Sequence, residues 1–201
     1  MNTPEFIAAQ AITVELAGAR AIRAQGIENV KRVVLSVKVP VIGLVKSFNK
    51  DSEVYITPTV ADVLALEQAG ADIVAVDATQ RSRLGGVTLE EFFKEVRKKT
   101  KIPLLADVDS LENAKNAEIL GFDAIATTLN GYTNVPTTGL PNLDLVQQIA
   151  SVVSVPVIAE GGFSTPRHVK SAFSNGAWAV CVGTAITNPY LLTKHFIEQA
   201  L

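Results

Sequence analysis

The sequence predicts an α/β protein, a (β/α)8 barrel of TIM type that lacks its first β-strand within this chain, with residues 1–201 forming one domain. Three observations carry that expectation. First, two short patterns alternate along the chain. A glycine ends a helix and is followed almost at once by a β-rich run at Gly18, Gly70, Gly121 and Gly176. A proline opens an apolar run at Pro40, Pro103 and Pro156. The order is glycine, proline, glycine, proline to the end, and like units recur every fifty to sixty residues or so, so one βαβα unit repeats. Second, the runs are nearly continuous Val, Ile, Ala and Leu, as expected of parallel strands covered on both faces. Third, no point is visible at which the strand order would reverse, which favours a barrel over an open doubly wound sheet.

The elements follow in order. Thr3-Pro4-Glu5 reads as the opening of a helix over about 4–17, with Thr3 as cap and proline in the first turn. Gly18 can take the left-handed conformation that ends such a helix, and a first strand follows near 19–24. Pro40 opens a strand near 41–46, since a strand's first position needs no ladder donor. Thr59-Val-Ala-Asp62 and Thr88-Leu-Glu-Glu91 have the spacing of capping boxes and start two helices. Strands are expected near 72–77, 102–107, 123–128, 156–160 and 178–183. Thr165-Pro166 and Asn188-Pro189 read as cap plus first-turn proline. That makes seven strands after an initial helix, and the alternation places the eighth before Met1. An open seven-stranded sheet is the alternative.

Composition narrows the function. Basic and acidic side chains number 18 and 20, for a formal charge of -2. A general nucleic-acid binder would carry a basic excess. The single cysteine, Cys181, excludes an internal disulfide framework and a cysteine-built zinc site. Two histidines, His168 and His195, argue against metal catalysis, although carboxylate sites for magnesium survive the count. No apolar run reaches the roughly 18 residues of a membrane span, and the N-terminus does not read as a secretion signal. A cytoplasmic protein, bound neither to nucleic acid nor to membrane, is expected.

In a barrel of this type the reactive face lies at the C-terminal ends of the strands. The proline-type strands end in Lys46, Asp107 and Glu160, and the glycine-type strands in Arg23, Asp77, Thr128 and Gly183. Within each type Lys46, Asp107 and Glu160, or Arg23, Asp77 and Thr128, share parity from the opening residue, so their side chains fall on one face. Charges there are costly unless paired or used. A rim network such as Lys46 with Glu160 is the structural alternative to a catalytic site. Gly161-Gly162 and Gly183-Thr184 follow the seventh and eighth strands of barrel numbering, where backbone N–H groups commonly grip a phosphate. Leu129-Asn130-Gly131-Tyr132-Thr133, running on to Pro141, is a long polar loop on the same face, either a connection or a lip over a substrate. Cys181 reads as a buried small residue, and His168 and His195 as surface residues.

Ile22-Arg23-Ala24, the run Val41 to Lys46, Tyr55-Ile-Thr-Pro58, Val76-Asp-Ala-Thr79, Leu105-Ala-Asp107, Thr127 to Thr133, Val157 to Gly161 and Gly183 to Thr187, in this order, resemble the N-acetylmannosamine-6-phosphate 2-epimerase family. The resemblance implies an isomerase of amino-sugar and sialic acid catabolism. It implies a phosphorylated amino sugar as partner, no cofactor and no metal, and a homodimer. It implies Lys46 and Glu160 as catalytic residues. Substrate contacts are expected from Arg23, Asp107, Asp77, Thr128, Gly131 and Tyr132, and the phosphate grip from Gly161, Gly162, Gly183 and Thr184. The family's first strand, with a serine and a glutamine at its end, has no counterpart here. Leu84-Gly85 follows Arg83 where the family often has proline, and Asn188 stands where it often has arginine. Lys46, desolvated at the end of an apolar strand, would move the proton at C2. Two other readings stay open: a Schiff-base enzyme with Lys46 as nucleophile, and a non-catalytic sugar-phosphate-binding barrel.

Overall fold

The computed structural model describes residues 3–200. Helices and strands alternate as α1 (Pro4–Leu16), β1 (Ile22–Gln25), α2 (Ile27–Val34), β2 (Val41–Leu44), α3 (Val60–Gln68), β3 (Ile73–Asp77), α4 (Leu89–Lys99), β4 (Leu104–Asp107), α5 (Leu111–Leu120), β5 (Ala124–Ala126), α6 (Leu143–Ala150), β6 (Val157–Glu160), α7 (Pro166–Ser174), β7 (Ala179–Cys181), α8 (Thr184–Thr187) and α9 (Pro189–Ala200). The strands follow chain order from β1 to β7 in one sheet. This sequential winding is that of a TIM-type (β/α) barrel and not of a sheet whose order reverses. The chain forms two compact units. One runs to Asp107 and takes in Ile119–Asp123; the other is built from Val108–Glu118 and the residues from Ala124 onward.

In the first unit β1, β2, β3 and β4 pair in parallel, with Arg23 beside Ile42, Gly43 beside Val74 and Asp77 beside Asp107. The repeat is visible in the hydrogen bonds. Each opening proline offers its carbonyl to the strand before it: Ile22 N–H donates to Pro40 and Val74 N–H to Pro103, at 2.9 Å each. Asp72 and Asp123, two residues after their helix-ending glycines, accept from the N–H groups of Val41 and Leu104 at 2.8 Å. Val30, Val33, Val63, Leu66, Val74 and Leu104 are fully buried and make the core. Gly43 interrupts the otherwise apolar β2 for a packing reason. A Cβ there would lie 3.0 Å from Ala71 Cβ and 3.2 Å from Leu66.

In the second unit β5, β6 and β7 pair in parallel. Ile125 N–H donates to Pro156, repeating the device of the first unit. Trp178 occupies the place that Asp72 and Asp123 hold in their repeats, and its ring is largely exposed. Val146, Ala159, Phe163, Ala172 and Ala177 form the core. The expectation that every strand is covered on both faces fails at β7, whose three residues are only half-buried. Cys181, expected to be buried, is therefore half-buried too. Helix α9 buries none of its residues, although it carries Leu191, Leu192, Phe196 and Ile197.

The local signals perform as their chemistry predicts. Both capping boxes are closed, with Thr59 and Thr88 accepting from Asp62 and Glu91 N–H and receiving the reciprocal carboxylate. Thr165 and Asn188 accept from His168 and Leu191 N–H. The glycines at 18, 70, 121 and 176 all have φ between 89° and 103°. No described helix is long and apolar enough to cross a membrane.

Candidate active-site residues

Arg23, expected at the end of its strand, is the second residue of β1, which runs on to Gln25, and it reaches Asp107 at the end of β4. Nη1 donates to Oδ1 at 3.0 Å and Nη2 to Oδ2 at 2.5 Å, a two-pronged ion pair. The two side chains are 9% and 0% exposed. The structure thus brings together two residues that were expected near substrate. The two charges are held as a preassembled pair.

Lys46 departs from expectation. The strand expected to reach it stops at Leu44, and Lys46 forms an isolated antiparallel bridge with Ile56 instead. Its side chain is exposed, so the burial invoked for it is not present. The backbone around it is nevertheless held closely. Thr57 N–H donates to the Val45 carbonyl at 2.7 Å, Val45 N–H donates to the Thr57 hydroxyl at 3.2 Å, and Ser47 N–H donates to Tyr55 at 2.9 Å. Thr57 is fully buried and has a φ of 45°. A β-branched residue in the left-handed region is strained and persists only where its surroundings over-determine it. Thr57 was not singled out from the sequence as a site residue. Its signal, a β-branched residue before Pro58, says only that the chain turns there.

Asp77 ends β3 fully buried, with both oxygens engaged. Oδ1 accepts from Thr79 N–H at 3.1 Å and from its hydroxyl at 2.7 Å, and Oδ2 accepts from Arg81 at 2.5 Å. Burial raises its pKa, against the pull of Arg81 and the hydrogen bonds from Thr79. From this position Asp77 presents Arg81 and not itself. Arg81 also donates to the Thr79 hydroxyl at 3.0 Å and lies 5.7 Å from the centre of the Tyr55 ring, which stacks on the exposed Phe48. Arg83 is buried over the Phe92 ring and donates to the Asp77 carbonyl. Its Nε and Nη1 have no hydrogen-bond partner among the described residues. Desolvation lowers its pKa to about 10, partly opposed by Asp77.

In the second unit the key residue missed by sequence reading is Thr127. Its buried hydroxyl donates to the Glu160 carbonyl at 2.8 Å and accepts from Glu160 N–H at 3.0 Å. β5 ends at Ala126, two residues before the expected end at Thr128; Thr127 still donates its N–H to the Ile158 carbonyl at 3.2 Å and adds the two hydroxyl bonds to the neighbouring strand. This double link fixes the main chain from which the half-buried Glu160 projects. Gly161 and Gly162 follow with φ of 111° and 73°, a backbone that L side chains rarely adopt. Gly183 caps the four-residue helix α8, which begins at Thr184, and both are exposed. Thr128 is half-buried, Gly131 exposed and Tyr132 58% exposed. His168, expected at the surface, is half-buried and its Nδ1 accepts from Ser164 N–H at 3.4 Å. Among the described residues no group of three or more His, Cys, Asp and Glu side chains is placed to hold a metal ion.

Comparison with known proteins gives one consistent result. Residues 7–200 match a family model described as "Putative N-acetylmannosamine-6-phosphate epimerase". A protein of Caldanaerobacter subterraneus named "Putative N-acetylmannosamine-6-phosphate 2-epimerase" is 44% identical over 199 residues, covering 98% of this chain and 84% of that protein. One of the same name from Thermosynechococcus vestitus is 42% identical over 98% of this chain and 86% of that protein. The solved N-acetylmannosamine-6-phosphate 2-epimerase of Clostridium perfringens superposes with a TM-score of 0.93 at 35% identity, covering 98% of this chain and 86% of that one. A thiamine phosphate pyrophosphorylase from Pyrococcus furiosus, at 19% identity and a TM-score of 0.62, shares the fold alone.

Proposed function

The chain belongs to the N-acetylmannosamine-6-phosphate epimerase family, and we propose that it interconverts N-acetylmannosamine 6-phosphate and N-acetylglucosamine 6-phosphate. The observation that carries this reading is the near full-length likeness to a solved epimerase. A lysine stands two residues past the end of β2 with the backbone on both sides of it tied, which supports its assignment as the base.

Inverting C2 means removing its hydrogen and returning one to the opposite face. That carbon is acidic only when C1 is a free aldehyde, so the open-chain sugar reacts. Lys46 takes the C2 proton, and the electron pair moves into the C1–C2 bond and onto the C1 oxygen. Return of a proton to the other face completes the inversion, and no redox partner is needed. Glu160 serves as the opposite-face partner or moves protons on the sugar oxygens. The intermediate's oxygen carries developing negative charge and requires positioned donors. Lys46 is exposed in the free protein, so exclusion of water from its amine falls to the bound sugar.

Arg23 held by Asp107, and the loop carrying Thr128, Gly131 and Tyr132, bind the sugar. Arg81, presented by Asp77, is a further candidate contact. Gly161, Gly162, Gly183 and Thr184 hold the phosphate. The enzyme acts as a cytoplasmic homodimer in amino-sugar breakdown. The test is direct: Lys46→Ala abolishes interconversion while binding of the sugar phosphate by titration stays within about threefold. Near-normal turnover in this variant refutes the assignment of Lys46. Trapping of a covalent adduct by borohydride would point to a Schiff-base enzyme.

A further inference from the structure

The loop between β5 and α6 is longer than most strand-to-helix connections, and loops of that length are usually functional. It is not loose. Asn130 is 3% exposed, and its side chain makes three hydrogen bonds. Nδ2 donates to the Asp109 carbonyl at 2.8 Å, while Oδ1 accepts from the Thr137 hydroxyl at 2.9 Å and from Asn142 Nδ2 at 3.1 Å. Asn142 at the same time caps α6 through Leu145 N–H. The Asp109 carboxylate, 1% exposed, accepts from Thr133 in the loop at 2.8 Å and from Asn113 of α5 at 2.7 Å. Both ends and the middle of the loop are thus tied to buried polar groups.

The loop's apolar foot is Leu140, which sits on three glycines. A Cβ at Gly131 would lie 3.2 Å from its Cδ1, one at Gly161 3.7 Å from its Cδ2, and one at Gly162 2.5 Å from its Cβ. Leu140 therefore lies directly on the glycine pair expected to grip phosphate. Its chain neighbour Pro141 follows, with nitrogen 3.2 Å from the same Gly162 position.

We propose that the segment 130–142 is a clasp that holds the Gly161–Gly162 backbone in its phosphate-receiving conformation, with Asn130 as the positioning residue and Leu140 as the contact. The clasp selects for the phosphate arm of the substrate and not for the chemistry at C2. Two physical effects act together. Leu140 packs against the Cα side of the pair and so restricts the backbone that carries its N–H groups. Asn130 fixes where Leu140 stands, because losing it leaves a buried carbonyl unpaired and the loop free at its centre. The identity of the phosphorylated ligand rests on the epimerase reading above; the clasp itself does not.

The test compares Asn130→Ala, Asn130→Asp and Leu140→Ala with Leu140→Met in the full chain. Epimerase kinetics, competitive inhibition by inorganic phosphate, and direct titration with inorganic phosphate are measured for each. The first three variants raise KM for the sugar phosphate and weaken inorganic phosphate in parallel, by about tenfold, with kcat changed less than about threefold. Leu140→Met, which keeps an apolar cover, stays near wild type. A lowered melting temperature with unchanged KM and unchanged phosphate affinity shows a merely structural loop and overturns the proposal. So does a raised KM without a matching loss of phosphate affinity. If the wild type does not epimerise, that reading fails, and phosphate titration alone still decides the clasp: wild type must bind, and the three variants must bind more weakly.

Discussion

Removing one partner of the Arg23–Asp107 pair should be far more damaging than removing both. The pair is two-pronged, at 2.5 and 3.0 Å, and Asp107 has no solvent exposure. Asp107→Leu takes from Arg23, whose side chain is 9% exposed, the carboxylate that receives two of its N–H groups. Arg23→Met takes the guanidinium from a fully buried carboxylate. Breaking a buried pair from one side costs about 3–5 kcal/mol, because the remaining charge stays desolvated and loses this counter-ion. Replacing the pair by apolar residues of similar volume, Arg23→Met with Asp107→Leu, removes the attraction and both desolvation penalties, and such exchanges are often neutral or stabilising. The double variant is therefore expected within about 1 kcal/mol of wild type, and the coupling energy between the sites at about 5 kcal/mol or more. Urea unfolding with a shared m-value measures all four corners of the cycle. Additive single-site effects, with coupling below about 0.5 kcal/mol, would refute the view that these charges hold each other and restore both to the status of independent substrate contacts.

Arg83 gives a pH-dependent prediction. Its fall from the ordinary arginine range to about 10 weighs about 3 kcal/mol against the buried cation. Arg83→Met gives up the hydrogen bond to the Asp77 carbonyl, about 1–2 kcal/mol, and should be more stable than wild type by roughly 1–2 kcal/mol at pH 7. The folded value lies below the unfolded one, so the unfolded chain holds the proton more tightly. The variant's advantage is full below about pH 10 and shrinks as pH rises from there towards the ordinary arginine range. A variant less stable than wild type at pH 7, with a gap that does not change above pH 10, contradicts this. Thr57→Val keeps the shape of the residue behind Lys46 but removes the acceptor for Val45 N–H. It should lose about 1–2 kcal/mol of stability and lower kcat about fivefold or more through misplacement of Lys46; an unchanged kcat would show that Thr57 does not position the lysine.

The parts of the fold visible in the sequence are those whose chemistry is local. A glycine past a helix, a proline before a strand and a threonine three residues ahead of a carboxylate each act over a few residues, and all seven strands stand close to where these signals put them. Strand ends were less legible, because they depend on partners far along the chain. Lys46 leaves the sheet for Ile56, and Thr127 links to the neighbouring strand through its hydroxyl as well as its N–H. Burial was least legible. Lys46 follows an apolar run and is exposed, whereas Asp77 follows an equally apolar run and is sealed by Thr79 and Arg81. The difference lies in the loops after each strand. In one the next residues fold into a bridge; in the other they turn back over the carboxylate. Thr57 and Asn130 could not be recognised as positioning residues from type or spacing, since their roles rest on a left-handed φ and on three convergent hydrogen bonds.

Proton traffic at C2 puts the central assignment to its most direct trial. Wild-type protein incubated with N-acetylmannosamine 6-phosphate in deuterated water should place deuterium on C2 of the N-acetylglucosamine 6-phosphate formed, as followed by proton NMR, and Lys46→Ala should place none. Product that keeps its original C2 hydrogen throughout, or tight binding of the sugar phosphate by the wild type with no exchange at C2, would contradict the account.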